Sequence, residues 1–171
     1  IRDRSPSRGL GDVYKRQFYS WADVEKMCTQ LIVQLYNSEW LPDYIVGVTR
    51  GGNVPATILS NMTGIRCEAV KVALRDGESG KSGDSIEWMA QDALEGKKIL
   101  VVDDINDTGA TFQWIADDWK LNGDDNVRFA TLTENHSSEF DMVDYYCDTV
   151  NKAEEDVWLV YPWESVGEYH G

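Results

Sequence analysis

Ile99-Leu-Val-Val-Asp-Asp-Ile-Asn-Asp-Thr-Gly-Ala-Thr111 runs from an apolar stretch into two adjacent acids and then a small, hydroxyl-rich turn. An apolar run of this length bounded by turn residues reads as a buried β-strand, and it delivers Asp103 and Asp104 to its carboxyl end. Behind them Asp107, Thr108, Gly109, Ala110 and Thr111 can wrap backbone N–H groups around a phosphate at the start of the next helix. Carboxylates for ribose hydroxyls beside an N–H nest for a phosphate suit a sugar phosphate. An ordinary strand-to-helix turn with a capping Asp is the plainer alternative.

Outward from this stretch the chain alternates strand and helix patterns. Ser20 opens a helix, with Asp23 placed to complete a capping box. Val24, Met27, Cys28, Leu31, Ile32 and Leu35 then recur at helical spacing and form one stripe to bury. Tyr44 to Val48 reads as a buried strand, Thr49-Arg-Gly-Gly-Asn53 as a tight loop, and Val54 to Met62 as a helix with Pro55 in its first turn. Cys67 to Leu74 alternates as a strand. Residues 75–96 lose periodicity and gather Gly77, Gly80 and Gly83 among charges, which predicts a long lid-like loop with a short helix over Ile86 to Leu94. A helix over Ala110 to Leu121 follows the quoted strand, and further strands are predicted at Val127 to Thr133, Tyr145 to Val150 and Val157 to Tyr161. This alternation predicts an α/β fold: a mostly parallel sheet, helices on both faces, the ligand at the strands' carboxyl ends.

Composition narrows the function. The 171 residues suit one α/β domain, and no apolar run approaches the ~20 residues of a membrane span. A formal charge of −14 argues against a nucleic-acid partner, which calls for basic surface. Cys28, Cys67 and Cys147 show no C-x-x-C spacing, which favours reduced thiols in the cytoplasm. Residues 1–17 carry five basic residues against two acids, have no apolar signal core, and read as linker-like sequence foreign to the domain. They are expected to be disordered or peripheral, leaving 18–171 as the single domain. In the Thr49 to Gly52 loop two glycines let the backbone approach an anion, and Arg50 can offer it guanidinium donors. A glycine turn with a solvated Arg is the bland reading.

Ile45-Val-Gly-Val-Thr-Arg-Gly-Gly-Asn-Val-Pro55, the quoted strand and turn, and Val157-Trp-Leu-Val-Tyr-Pro-Trp-Glu164 occur in the order and spacing of bacterial xanthine-guanine phosphoribosyltransferases. The sequence resembles that branch of the type I phosphoribosyltransferases from about Tyr19 to Gly167. The resemblance implies the type I fold with a small C-terminal hood over about 134–167. It implies transfer of a 5-phosphoribosyl group from phosphoribosyl pyrophosphate to guanine, xanthine or hypoxanthine, with Mg2+, in a cytoplasmic homodimer or homotetramer. Arg50, Gly51 and Gly52 would bind pyrophosphate through a non-proline cis bond at Arg50–Gly51, with Arg75, and Lys71 behind it, reaching in from the lid. Asp103 and Asp104 would hold the ribose hydroxyls and help place the metal, and Thr108 to Thr111 would hold the 5′-phosphate. Asp107 would accept the base proton, Trp158 would stack on the base, and the main chain of Leu159 would meet its edge. In the family a lysine at the end of the next strand meets the purine 6-oxo group. Here the matching residue is Asn135, or Glu134 with a one-residue shift. An uncharged donor there makes a bond roughly half as strong.

Two other readings stand beside this one. A non-catalytic regulator of the same fold could sense phosphoribosyl pyrophosphate or a nucleotide, though it would need neither Asp107 nor Trp158. A transferase for a different base is the other. Gly80-Lys81-Ser82 imitates the end of a P-loop, but Arg75 stands where the first glycine belongs. Glu154-Glu155-Asp156 reads as a solvated turn.

Overall fold

The computed structural model describes residues 15–72, 84–123 and 125–164. Along these residues the elements are β1 (Lys15–Phe18), α1 (Trp21–Asn37), β2 (Tyr44–Thr49), α2 (Asn53–Thr63), β3 (Cys67–Lys71) and α3 (Asp84–Leu94), followed by β4 (Ile99–Asn106), α4 (Ala110–Asp118), β5 (Val127–Asn135), β6 (Asp148–Val150) and β7 (Val157–Val160). The main sheet has the order β3-β2-β4-β5-β6, with every pairing parallel. A parallel sheet must be covered on both faces, and the period-two alternation of its strands shows how. Ile45, Leu100, Val102, Ala130 and Leu132 pack with Val24, Leu31 and Leu59 of α1 and α2. Val46, Val48, Ile99, Val101 and Phe129 pack with Met89 of α3 and with Phe112 and Ile115 of α4.

Local chemistry explains the helices. Ser20 Oγ accepts from the Asp23 N–H at 3.0 Å and Asp23 Oδ2 accepts from the Ser20 N–H at 2.8 Å, a complete capping box. Of the expected stripe, Val24, Met27, Cys28, Leu31 and Leu35 are buried, and Ile32 lies at its margin. α2 stops at Gly64, whose φ of 79° takes the chain into the left-handed turn that releases it.

Three expectations need correction. The lid cannot extend to residue 96, because α3 is an ordered helix that buries Met89 and Ala93 in the core. Residues 73–83, including Arg75, lie outside the described residues. The segment read as foreign gives up its last residues to β1, which pairs in parallel with β7 from Lys15↔Val157 to Phe18↔Val160. Finally, β3 ends at Lys71, short of Leu74, and β6 begins only at Asp148, with Tyr145 reduced to a single bridge to Ala130.

Candidate active site

In the sheet order β2 and β4 are neighbours whose onward connections diverge, β2 toward β3 and β4 toward β5. Such a switch point leaves a crevice at the carboxyl ends of the two strands. The Thr49 to Gly52 loop and the Asp103 to Thr111 segment both emerge there. Their approach is close. A Cβ on Gly51 would overlap the Asp104 carboxylate, and one on Gly52 would lie 2.8 Å from both Asp103 Cα and the Val48 carbonyl oxygen. Only glycine fits, so the two motifs form one wall. The loop is closed by the Gly52 N–H donating to Val48 O at 2.8 Å and the Asn53 N–H to Arg50 O at 3.1 Å, which leaves Arg50 exposed. Its cis peptide bond joins Thr49 to Arg50, one bond earlier than the Arg50–Gly51 position expected.

Asp103 and Asp104 are half-buried side by side. Asp103 Oδ1 accepts the Asp104 N–H and Asp104 Oδ1 accepts the Ile105 N–H, each at 2.8 Å. Burial, and then the neighbouring Asp104 charge, push the Asp103 carboxyl well above the usual carboxylate range. Burial raises Asp104 as well. Among the described residues, no cation acts on either acid. Gly109 turns the chain into α4 at φ 96°, and the Ala110 N–H donates to Thr108 Oγ1 at 3.2 Å. Among the described residues, the N–H groups of Thr108, Gly109 and Thr111 have no protein acceptor, as a phosphate nest requires.

Asp107 lies at the mouth of this turn. Its carboxylate is 3.2 Å from Lys152 Nζ, and its main-chain oxygen accepts from Asn135 Nδ2 at 2.8 Å. Asn135 itself is only 4% exposed. Glu134, the alternative in the shifted register, accepts from Asn106 Nδ2 at 3.1 Å and is raised by burial.

The hood enters from β7. Val157 and Leu159 face the core, so Trp158 points to the opposite side, partly buried, with the Arg16 guanidinium 4.6 Å from its ring centroid. Tyr161 donates from its hydroxyl to the main-chain oxygen of Asp104 at 3.1 Å and lies 2.8 Å from Thr133 Oγ1. It stacks between Tyr19 and Trp163, with ring centroids 5.0 and 4.9 Å away.

Sequence reasoning missed Lys152 and Tyr161. Lys152 sits beside the acidic run read as a solvated turn, and nothing local marks it. Tyr161 lies inside a motif already singled out, where its place directly after an apolar strand was the available signal. No three His, Cys, Asp or Glu side chains among the described residues gather into a metal centre. No helix there is long and apolar enough to cross a membrane. A groove of about 620 Å³ beside α1, lined in part by Val33, Met62 and Tyr146, contains none of the residues above.

Residues 16–164 match the family described as the phosphoribosyl transferase domain. The xanthine-guanine phosphoribosyltransferase of Idiomarina loihiensis is 28% identical over 148 residues, covering 86% of each chain. That of Cereibacter sphaeroides is 29% identical over 127 residues, 73% of this chain and 71% of the relative. The purine phosphoribosyltransferase of Pyrococcus horikoshii superposes with a TM-score of 0.66 at 25% identity, over 88% of this chain and 95% of its own.

Proposed function

Because the chain belongs to the phosphoribosyl transferase family of enzymes, we propose that it joins the 5-phosphoribosyl group of phosphoribosyl pyrophosphate to a 6-oxopurine base. Guanine, xanthine or hypoxanthine would accept the group in purine salvage, with release of pyrophosphate. The observation that carries this reading is the contact of Gly51 with the Asp104 carboxylate. It brings an anion loop against a pair of ribose-binding acids in a single crevice. The names of the relatives support the purine. The three free cysteines suit a reducing, cytoplasmic setting.

In this reading the Thr108 to Thr111 N–H groups seat the 5′-phosphate and Asp103 and Asp104 take the ribose hydroxyls. Arg50 and the Gly51–Gly52 backbone hold the pyrophosphate. The C1′–oxygen bond breaks as a base nitrogen bonds to C1′, through a ribosyl cation-like transition state, so the protein's contribution is placement and electrostatics. Asp107 accepts the proton the base gives up. Trp158 covers the base. The adjacent acids Asp103 and Asp104, on which no cation among the described residues acts, fit Mg2+, which needs only one or two carboxylates beside substrate oxygens and would neutralise the departing pyrophosphate.

Mass-detected nucleotide formation from phosphoribosyl pyrophosphate, Mg2+ and a panel of bases tests the proposal. Trp158→Ala should raise KM for the base about ten- to a hundredfold, the worth of one base–aromatic stack. KM for phosphoribosyl pyrophosphate should stay nearly constant. No nucleotide with any base, or equal weakening of both substrates, would contradict the assignment.

A further inference from the structure

Asn135 is tied to the protein on both sides of its amide. Its Nδ2 donates to the main-chain oxygen of Asp107 at 2.8 Å. Its Oδ1 accepts from the Lys152 N–H at 2.9 Å, the Ser137 hydroxyl at 2.9 Å and the Ser137 N–H at 3.2 Å. An amide oxygen has two lone pairs, so nothing remains on that side for a ligand. What Asn135 does is tie two segments together. It fixes the backbone of Asp107, after β4, and the backbone of Lys152, between β6 and β7. The result is an ammonium 3.2 Å from the Asp107 carboxylate, with the lysine side chain still 29% exposed and the aspartate 45% exposed.

As an isolated surface ion pair this contact adds little to stability. Its chemistry toward a purine is more specific. N7 and the 6-substituent lie side by side on one edge of the purine ring. With the Asp107 carboxylate accepting from N7–H, the ammonium beside it faces the 6-substituent. A 6-oxo group accepts from it, whereas a 6-amino group sets donor against donor. A site built to bond one group rejects the analogue that cannot make the bond. We infer that Lys152 is the residue that selects 6-oxo over 6-amino purines, with Asn135 as its positioning residue. The inference rests on the purine transferase reading above and names the residue that sets its base preference.

The test compares kcat/KM for hypoxanthine and guanine with that for adenine, in the full chain, for the wild type, Lys152→Met and Lys152→Arg. Loss of one charge-assisted bond should cut the 6-oxo to 6-amino ratio of Lys152→Met about ten- to a hundredfold. The fall should come through KM for the oxopurine, with KM for phosphoribosyl pyrophosphate held. Lys152→Arg should keep the preference. Melting temperatures near the wild type's would confirm that both variants fold. A ratio unchanged in Lys152→Met, or equal losses on every base, overturns the role of Lys152 while leaving the transferase intact. A folded wild type inactive on every base overturns the transferase reading, and this inference with it.

Discussion

Gly51 and Gly52 sit where a Cβ would collide with the Asp104 carboxylate and the β4 backbone. Gly51→Ala must therefore displace either the loop or the Asp104 carboxylate. A displacement of about 1 Å in a site of this kind costs on the order of a hundredfold in rate. We expect kcat/KM for phosphoribosyl pyrophosphate to fall by about that factor, while overpacking costs roughly 1–3 kcal/mol of stability. Steady-state kinetics and a denaturant melt measure the two, and wild-type kinetics in the alanine variant would contradict the close approach. The glycines, Arg50 and the paired acids were all legible in the sequence, because backbone approach and adjacent carboxylates leave a mark on residue type. The cis bond was misplaced by one residue, since spacing locates a loop and not a particular bond within it. Asn135 was expected at the base, and its side chain is tied to Asp107, Ser137 and Lys152. Those partners come from segments the sequence does not show to be neighbours.

The hood strand β7 joins the sheet's active edge through Tyr161, whose hydroxyl donates to the main-chain oxygen of Asp104 and touches Thr133 Oγ1. Burial and the nearby Asp104 charge hold the phenol well above its ordinary pKa, so it stays a donor across the working pH range. Tyr161→Phe keeps the stacked ring and removes only the hydroxyl. It should cost about 0.5–1.5 kcal/mol of stability. It should also raise KM for phosphoribosyl pyrophosphate more than KM for the base, because the Asp104 backbone has lost its tether. Thermal unfolding and paired substrate titrations read both effects, and unchanged constants would make Tyr161 a packing residue alone. Among elements, α1 and β4 were readable from their periodicity. α3 was legible as the short helix expected over Ile86 to Leu94, and it begins two residues earlier, at Asp84. Among its described side chains, Met89 and Ala93, one helical turn apart, are buried in the core.

The molecule carries a formal charge of −14, yet it keeps two adjacent acids in its crevice, and no cation among the described residues acts on them. A carboxyl whose pKa rises on folding destabilises the folded chain as pH climbs from its unfolded value of about 3.9 toward the raised one, and the penalty persists above it. Asp103→Asn removes that penalty. The variant should melt higher than wild type at pH 7, by about 2–4 °C for each kcal/mol relieved. The gain should shrink toward pH 4, and phosphoribosyl pyrophosphate turnover should be lost. Calorimetry at the two pH values decides, and an equal gain at both would exclude a titration origin. The α/β class and the parallel sheet were legible because alternating strand and helix patterns admit few layerings. The β1–β7 pair was not, since no local pattern announces a contact between opposite ends of the domain. The neighbouring of β2 and β4 has a kinetic consequence. The stretch between those strands includes all of α2, β3 and α3, so the pairing is a contact of high sequence separation. Before it forms, one half of the crevice hangs on each strand and neither can grip a sugar phosphate. Ligand then binds only a chain whose sheet centre has closed. Its stabilisation appears as slower unfolding and not as faster folding.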